Sequence, residues 1–258
     1  MNATPPRLAE IANLAVQCAL DAVFPPRCAG CGIWHKGLFC PACAILLQRI
    51  ETPMCAICGE PFDPLAKAAR ECARCRANRY HVAPPFDAAR SVYQFAGPIR
   101  EAIHRFKYED KISLAAPLAG VLDDFLEHQP DAAARIPIER LSLIVPVPLH
   151  PWRQYRRGYN QSALLARELG KLRDVPHAAL LRRNRYTTPQ VELSTGERAA
   201  NVKDAFAVDE NMIKTLPAPG QAVLLMDDVH TTGATLAECA GVLKRAGVGE
   251  VYALTLAR

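Results

Sequence analysis

At 258 residues, half of them apolar, the chain can bury one large core, or one medium core with a small appendage, and disorder throughout is excluded. No run of eighteen apolar residues occurs, which excludes an ordinary membrane-spanning helix, and a formal charge of +5 says little by itself about nucleic acid. Ten cysteines, eight of them in four Cys-x-x-Cys pairs, in a chain of this length without an export signal point to zinc rather than to disulfides. Two Zn(Cys)4 sites each carry a net −2, which would bring the charge from +5 to about +1.

Residues 1–24 read as an N-terminal amphipathic helix. The apolar stretch from Leu8 to Phe24 is interrupted by Glu10, Asn13, Gln17 and Asp21, and its positive flank is a lone Arg7. That pattern fits a soluble, cytoplasmic protein better than a signal peptide.

Residues 25–80 carry the cysteine pairs: Cys28 with Cys31, Cys40 with Cys43, Cys55 with Cys58, and Cys72 with Cys75. Two intervening residues let both sulfurs of a pair converge on one ion, and two such corners complete a tetrahedron. Gly32 and Gly59 follow two of the knuckles, where positive φ is expected. Pairing in sequence order gives one site from Cys28, Cys31, Cys40 and Cys43 and a second from Cys55, Cys58, Cys72 and Cys75, with a cross-braced pairing as the alternative. Four sulfurs per ion leave no position for an activated water, so both sites are structural. About fifty residues with few large apolar side chains would draw most of their stability from metal. Cys18 and Cys239 stand apart and are expected to be buried in helices.

After a linker at 81–85 the larger domain, 86–258, begins. A β-type run covers Ala89 to Phe95, and Pro98 opens a helix whose apolar Ile99, Ala102, Ile103 and Phe106 share one face and which ends at Lys107-Tyr108. Lys107 is either a solvated lysine or a group at the mouth of a site. A second helix is expected over Ser113 to His128, and a buried strand over Leu141 to Val147. The strand runs into Pro146-Val147-Pro148-Leu149 and a loop stiffened by prolines, in which Arg153, Arg156 and Arg157 could face a pyrophosphate; Asn160 to Ser162 start the next helix. Leu181 to Phe206 reads as a long flexible loop holding Arg182, Arg183, Arg185, Gln190, Arg198, Asn201 and Lys203.

From Arg140 to Lys203 there are twelve Lys or Arg against four Asp or Glu, so the positive charge is local. It suits a polyphosphate or a nucleic-acid backbone. Trp152, Tyr155, Tyr159 and Tyr186 lie among the arginines, as base stacking on a single strand would require, although rings packed in the fold give the same pattern.

The apolar run Val223 to Met226, with no polar alternation, reads as a central parallel strand, and Ala234 to Ala246 as the helix after it. Between them stand Asp227-Asp228-Val229-His230-Thr231-Thr232-Gly233-Ala234-Thr235. A helix N-terminus with the hydroxyls of Thr231, Thr232 and Thr235 and a close-approach Gly233 suits a phosphate. Asp227 and Asp228 would accept hydrogen bonds from the 2′- and 3′-hydroxyls of a ribose and help hold Mg²⁺. This stretch resembles the signature of type I phosphoribosyltransferases, which bind 5-phosphoribosyl-1-pyrophosphate with Mg²⁺.

The cysteine pairs, the Pro-Val-Pro-Leu and Arg-Arg-Gly-Tyr-Asn-Gln-Ser segments, the stretch from Gln190 to Phe206 and the Asp-Asp-Val-x-Thr-Thr-Gly motif together resemble the ComF family over nearly the whole chain. The resemblance implies an N-terminal double zinc ribbon followed by an α/β domain of the type I phosphoribosyltransferase fold, a mostly parallel sheet flanked by helices. It implies a role in natural transformation, in which incoming single-stranded DNA is handled on the cytoplasmic side, with competence-machinery proteins as further partners. It assigns Asp227 and Asp228 to the ribose, Thr231 to Thr235 to the 5′-phosphate, and Pro146 to Leu149 to the pyrophosphate loop. Several purine phosphoribosyltransferases carry an aspartate base where this chain has Thr231, so no catalytic residue is assigned. Neighbouring His230 could titrate, though a surface histidine accounts for it better. Two readings follow: a binding protein for the sugar phosphate and single-stranded DNA, and a transferase whose acceptor is not named.

Overall fold

A computed structural model describes residues 25–63, 70–79, 85–129, 135–185, 202–218 and 221–258. The expected helix over 1–24 with Cys18, most of the linker at 81–85, and Tyr186, Gln190, Arg198 and Asn201 of the long loop lie outside the described residues.

Four parallel strands, β1 (Ala88–Tyr93), β2 (Leu141–Pro146), β5 (Ala222–Val229) and β6 (Glu250–Ala257), form one sheet in the order β1-β6-β5-β2. The apolar run of β5 lies at its centre: Val223, Leu224, Leu225 and Met226 are each 0 % exposed. Alternation sends Val223 and Leu225 to one face and Leu224 and Met226 to the other. Burying each such side chain stabilises by about 1.5–3 kcal/mol. One face is covered by helices α3 (Gly97–Tyr108), α4 (Ala115–Glu127) and α6 (Gln161–Arg173). The other is covered by α7 (Ala234–Arg245) and a two-stranded antiparallel ribbon of β3 (Leu181–Arg183) and β4 (Phe206–Val208). No described helix is long and apolar enough to cross a membrane.

The expected strand–turn–helix units are all present, most ends shifted by one or two residues; β5 runs three residues beyond its expected end, so Asp227 and Asp228 lie in the strand. The segment after β2 differs from its expected form. It is a short helix, α5 (Pro151–Arg157), capped by His150, whose ring accepts the Trp152 N–H at 3.2 Å, and stopped by Gly158 in the left-handed conformation. The expected long loop is in part the β3–β4 pair, and β6, to which no element was assigned, completes the sheet.

The cysteine region carries two short helices, α1 (Pro41–Ile45) and α2 (Ala73–Arg79). It lies along the free edge of β1, where sheets otherwise expose unpaired backbone. Ala89 donates its N–H to Ile57 at 2.7 Å, Ile50 donates to Val92 at 2.9 Å, and Gln94 donates to Gln48 at 2.9 Å. Buried Arg90 reaches from β1 to the carbonyl of Ala56 at 2.8 Å. Gly59 has φ of 67°, and a Cβ there would stand 2.7 Å from the Ala89 oxygen, so both its conformation and its closeness to β1 require glycine.

Candidate functional site

The two cysteine clusters are those expected from sequence order: Cys28, Cys31, Cys40 and Cys43 in one, Cys55, Cys58, Cys72 and Cys75 in the other, with the ligand atoms of each within 4.8 Å of one another. A cross-braced arrangement is excluded. A tetrahedral ion with bonds of about 2.3 Å holds its sulfurs roughly 3.8 Å apart. The Cys31–Cys40 and Cys58–Cys72 sulfurs are each 3.7 Å apart. Backbone N–H groups point at the sulfurs, from Cys40 to Cys28 and from Cys72 to Cys55 at 3.3 Å each, as thiolates require. The residues therefore fit two structural zinc ions.

Above the carboxyl ends of the strands lies a cleft of about 610 Å³. Among its walls are Lys107, Val147, Pro148, Leu149, Arg153, Arg156, Arg157, Asp227, Asp228, Thr231 and Thr235, all singled out in the sequence. A smaller cavity adjoins it, lined in part by Gly233, Ala234 and His230. Pro146 closes β2 beside Met226 and lines neither cavity. Thr232 turns inward on its own loop, its hydroxyl oxygen accepting the Ala234 N–H at 3.4 Å.

The two carboxylates are held differently. Asp228, which is 3 % exposed, pairs through Oδ1 with the Lys107 ammonium at 2.7 Å, while its Oδ2 is buried with no hydrogen-bond partner among the described residues. Lys107 thus lines the cleft in a largely buried ion pair and is not an ordinary solvated lysine. Asp227 accepts the Ser162 hydroxyl at 2.8 Å and the Asp228 N–H at 2.9 Å. Ser162 is placed by the start of α6, where Asn160 accepts the Ser162 N–H at 3.0 Å and donates to the Val147 carbonyl at 3.0 Å. One asparagine thereby ties the loop after β2 to the helix that orients Asp227.

Burial, and then the charge of Asp228, push the Asp227 carboxyl up from 3.8 to about 7. The folded chain then keeps a proton that the unfolded chain releases near pH 4, and ionising Asp227 works against the fold. Stability should therefore fall as pH rises from about 4 to about 7, and Asp227→Asn should flatten that fall. Thermal unfolding of both proteins across about pH 5–8 checks this; parallel profiles would count against it.

The basic rim is only partly as expected. The Arg156 guanidinium lies 4.8 Å from the Trp152 ring centre, and that of Arg157 lies 5.0 Å from Tyr108. Trp152 is 49 % and Tyr155 87 % exposed, but Tyr159 is 8 % exposed and its hydroxyl donates to the Phe106 carbonyl, so Tyr159 belongs to the core and not to a stacking surface. His230 is likewise not a surface residue, being 1 % exposed. Arg183, expected in a flexible loop, is buried on β3 at the cleft wall, its guanidinium 5.1 Å from the Phe206 ring; burial, then Arg153, lower its pKa. Tyr108, Phe95 and Gln161 also line the cleft without having been singled out as ligand contacts. Ser162 and Arg183 had no local signal beyond a helix start and a basic run, because their partners are distant in the chain.

Fold and site together define an α/β protein with an acidic pair at the end of its central strand, a basic cleft rim, and a double zinc ribbon docked on the sheet edge. A family model for the double zinc ribbon domain matches residues 19–76. The chain is 33% identical over 238 residues to competence protein F of Haemophilus influenzae, covering 90% of this chain and 96% of that protein. It is 31% identical to the DNA utilization protein YhgH of Escherichia coli, covering 87% of this chain and 91% of that one. The chain belongs to the ComF family. Among solved structures, adenine phosphoribosyltransferase from Leishmania donovani is similar with a TM-score of 0.32 and 13% identity, over 75% of this chain and 73% of that chain.

Proposed function

We propose that this protein binds 5-phosphoribosyl-1-pyrophosphate with Mg²⁺ in the cleft, holds single-stranded DNA along the adjoining basic rim, and serves DNA uptake on the cytoplasmic side of the membrane. The placement of Asp227 and Asp228 carries the reading: both line the cleft together with Thr231 and Thr235, held by Ser162 and Lys107 respectively. Two carboxylates in the wall of the cleft suit vicinal hydroxyls, and the Oδ2 of Asp228, buried with no partner among the described residues, suits a cation or its bound water. Mg²⁺, when bound, would neutralise the pyrophosphate. Arg153, Arg156 and Arg157 would share that task and extend to a nucleic-acid backbone. The relatives' names as competence and DNA utilization proteins agree with DNA handling.

Calorimetric titration with phosphoribosyl pyrophosphate, with and without Mg²⁺, tests the first part. Asp228→Asn should weaken binding about tenfold or more, the worth of one charge-assisted hydrogen bond. For the second part, Arg156→Ala with Arg157→Ala should weaken single-stranded DNA binding and lower the salt slope by about 1.4, because two phosphates would no longer be neutralised. Affinity indifferent to salt and to these changes would remove the DNA arm.

One observation favours a second reading, a transferase with an unidentified acceptor. A carboxyl held at about 7 inside the cleft, that of Asp227, is suited to accept a proton at neutral pH. Pyrophosphate release that requires an added acceptor and disappears in Asp227→Asn would establish it.

A further inference from the structure

We propose that His230 is a further binding residue, whose imidazole donates a hydrogen bond to a phosphomonoester seated at the amino end of α7. The inference rests on the sugar-phosphate reading of the cleft and adds to it a ligand contact made by a buried ring.

His230 is 1 % exposed, yet among the described residues neither Nδ1 nor Nε2 has a hydrogen-bond partner. An unpaired buried polar group destabilises the fold, so a ring that only filled space would be better replaced by an apolar side chain. The ring lines the small cavity of about 30 Å³ together with Asp227, Thr231, Gly233, Ala234 and Thr235, the residues of the threonine turn and the first turn of α7. That helix runs for 12 residues, long enough for its first N–H groups and dipole to favour an anion. The loop closes tightly on the imidazole: Gly233 has φ of 80°, and a Cβ there would stand 2.6 Å from Nε2. The backbone fixes the ring's place, since the His230 N–H donates to the Ala257 carbonyl at 2.8 Å.

The charges facing the ring define its chemistry. Arg258 approaches from the end of β6, Arg74 from α2, and Asp227 closes the cavity from β5. An imidazole carries at least one N–H in either protonation state, so a ring buried beside this cavity has a hydrogen to donate into it. A phosphate oxygen in the cavity would satisfy it, with Arg258 and Arg74 supplying favourable field from behind the ring.

The test uses ribose 5-phosphate and inorganic pyrophosphate as separate probes, titrated calorimetrically into the full chain and into His230→Phe and His230→Gln. Ribose 5-phosphate should bind about tenfold or more weakly to His230→Phe and within a few-fold of wild type to His230→Gln, while pyrophosphate binding stays unchanged in both. In the wild-type protein, nitrogen–proton correlation spectra of the histidine rings should show the His230 N–H move on adding ribose 5-phosphate and stay put with pyrophosphate. Unchanged ribose 5-phosphate affinity in His230→Phe, equal weakening for both probes, or an unmoved ring resonance would each overturn the proposal. The ring spectrum needs no variant, so a misfolded His230→Phe leaves the question decidable. If wild type binds no ribose 5-phosphate, the sugar-phosphate reading falls and this one with it; if it binds and the ring does not respond, only the role of His230 falls.

Discussion

Replacing Cys58 by Ser should lower the melting temperature of the sheet domain by more than about 10 °C, whereas Cys31→Ser should lower it by less than about 4 °C. The two zinc sites are built into the molecule unequally. Cys55, Cys58 and Cys75 belong to the same buried cluster as Ala89 of β1, Val251 and Ala253 of β6, and Leu236 and Leu243 of α7. The Cys58 carbonyl accepts the Arg258 guanidinium at 2.5 Å, and that guanidinium also pairs with Glu60, which Arg74 approaches at 3.3 Å. Opening this site would uncover one face of the sheet and release the arginines that stand behind His230. Cys28, Cys40 and Cys43 instead form a satellite cluster with Phe39, and Cys31 is exposed. Metal content per chain, with thermal unfolding followed by circular dichroism, reads both quantities; equal shifts for the two variants would show that the sites carry equal weight.

Lys107→Ala should lower the unfolding free energy by about 2–4 kcal/mol. Breaking a buried pair by removing one partner costs about 3–5 kcal/mol, and the figure is reduced here because Lys107 faces the water of the cleft. Its side chain is 19 % exposed against 5 % for that of Asp228, so without the ammonium the carboxylate keeps its burial and loses its counter-charge. Adding Asp228→Asn to Lys107→Ala should recover at least half of the loss, because the double variant leaves no orphaned charge. Chemical denaturation of the four proteins closes the cycle. A coupling below about 0.5 kcal/mol would mean that the pair is incidental, and that Lys107 does not preset Asp228 for a ligand.

Much of this arrangement is legible in single segments. The strand–turn–helix at Val223 to Ala246 could be read because a fully buried parallel strand lacks polar alternation and because the acids and threonines follow it without a gap. The cysteine pairs could be read, since ligand spacing is a local property, and the sequence-order pairing proved to be the real one. Arg153, Arg156 and Arg157 were legible as a basic group, but not the short helix that carries them, whose Pro151 start and Gly158 stop are clear once its ends are known. Tyr159 and Tyr155 looked alike in the sequence and separated only in the fold, where one faces α3 and the other faces solvent.

Local sequence is enough to place the reactive groups: eight cysteines spaced for two ions, two adjacent carboxylates, and a turn of threonines and glycine at a helix start. These depend on neighbours within a few residues, which backbone geometry brings together in any fold. Only the tertiary structure decided how the groups are set against each other. Ser162 meets Asp227 across 65 positions, Lys107 reaches Asp228 from a helix distant in the chain, and His230 is buried between the threonine turn and β6. Such contacts join segments distant in sequence, so no local pattern records them; the fold buries a histidine that looks like a surface residue in the sequence, and burial pushes the Asp227 carboxyl up.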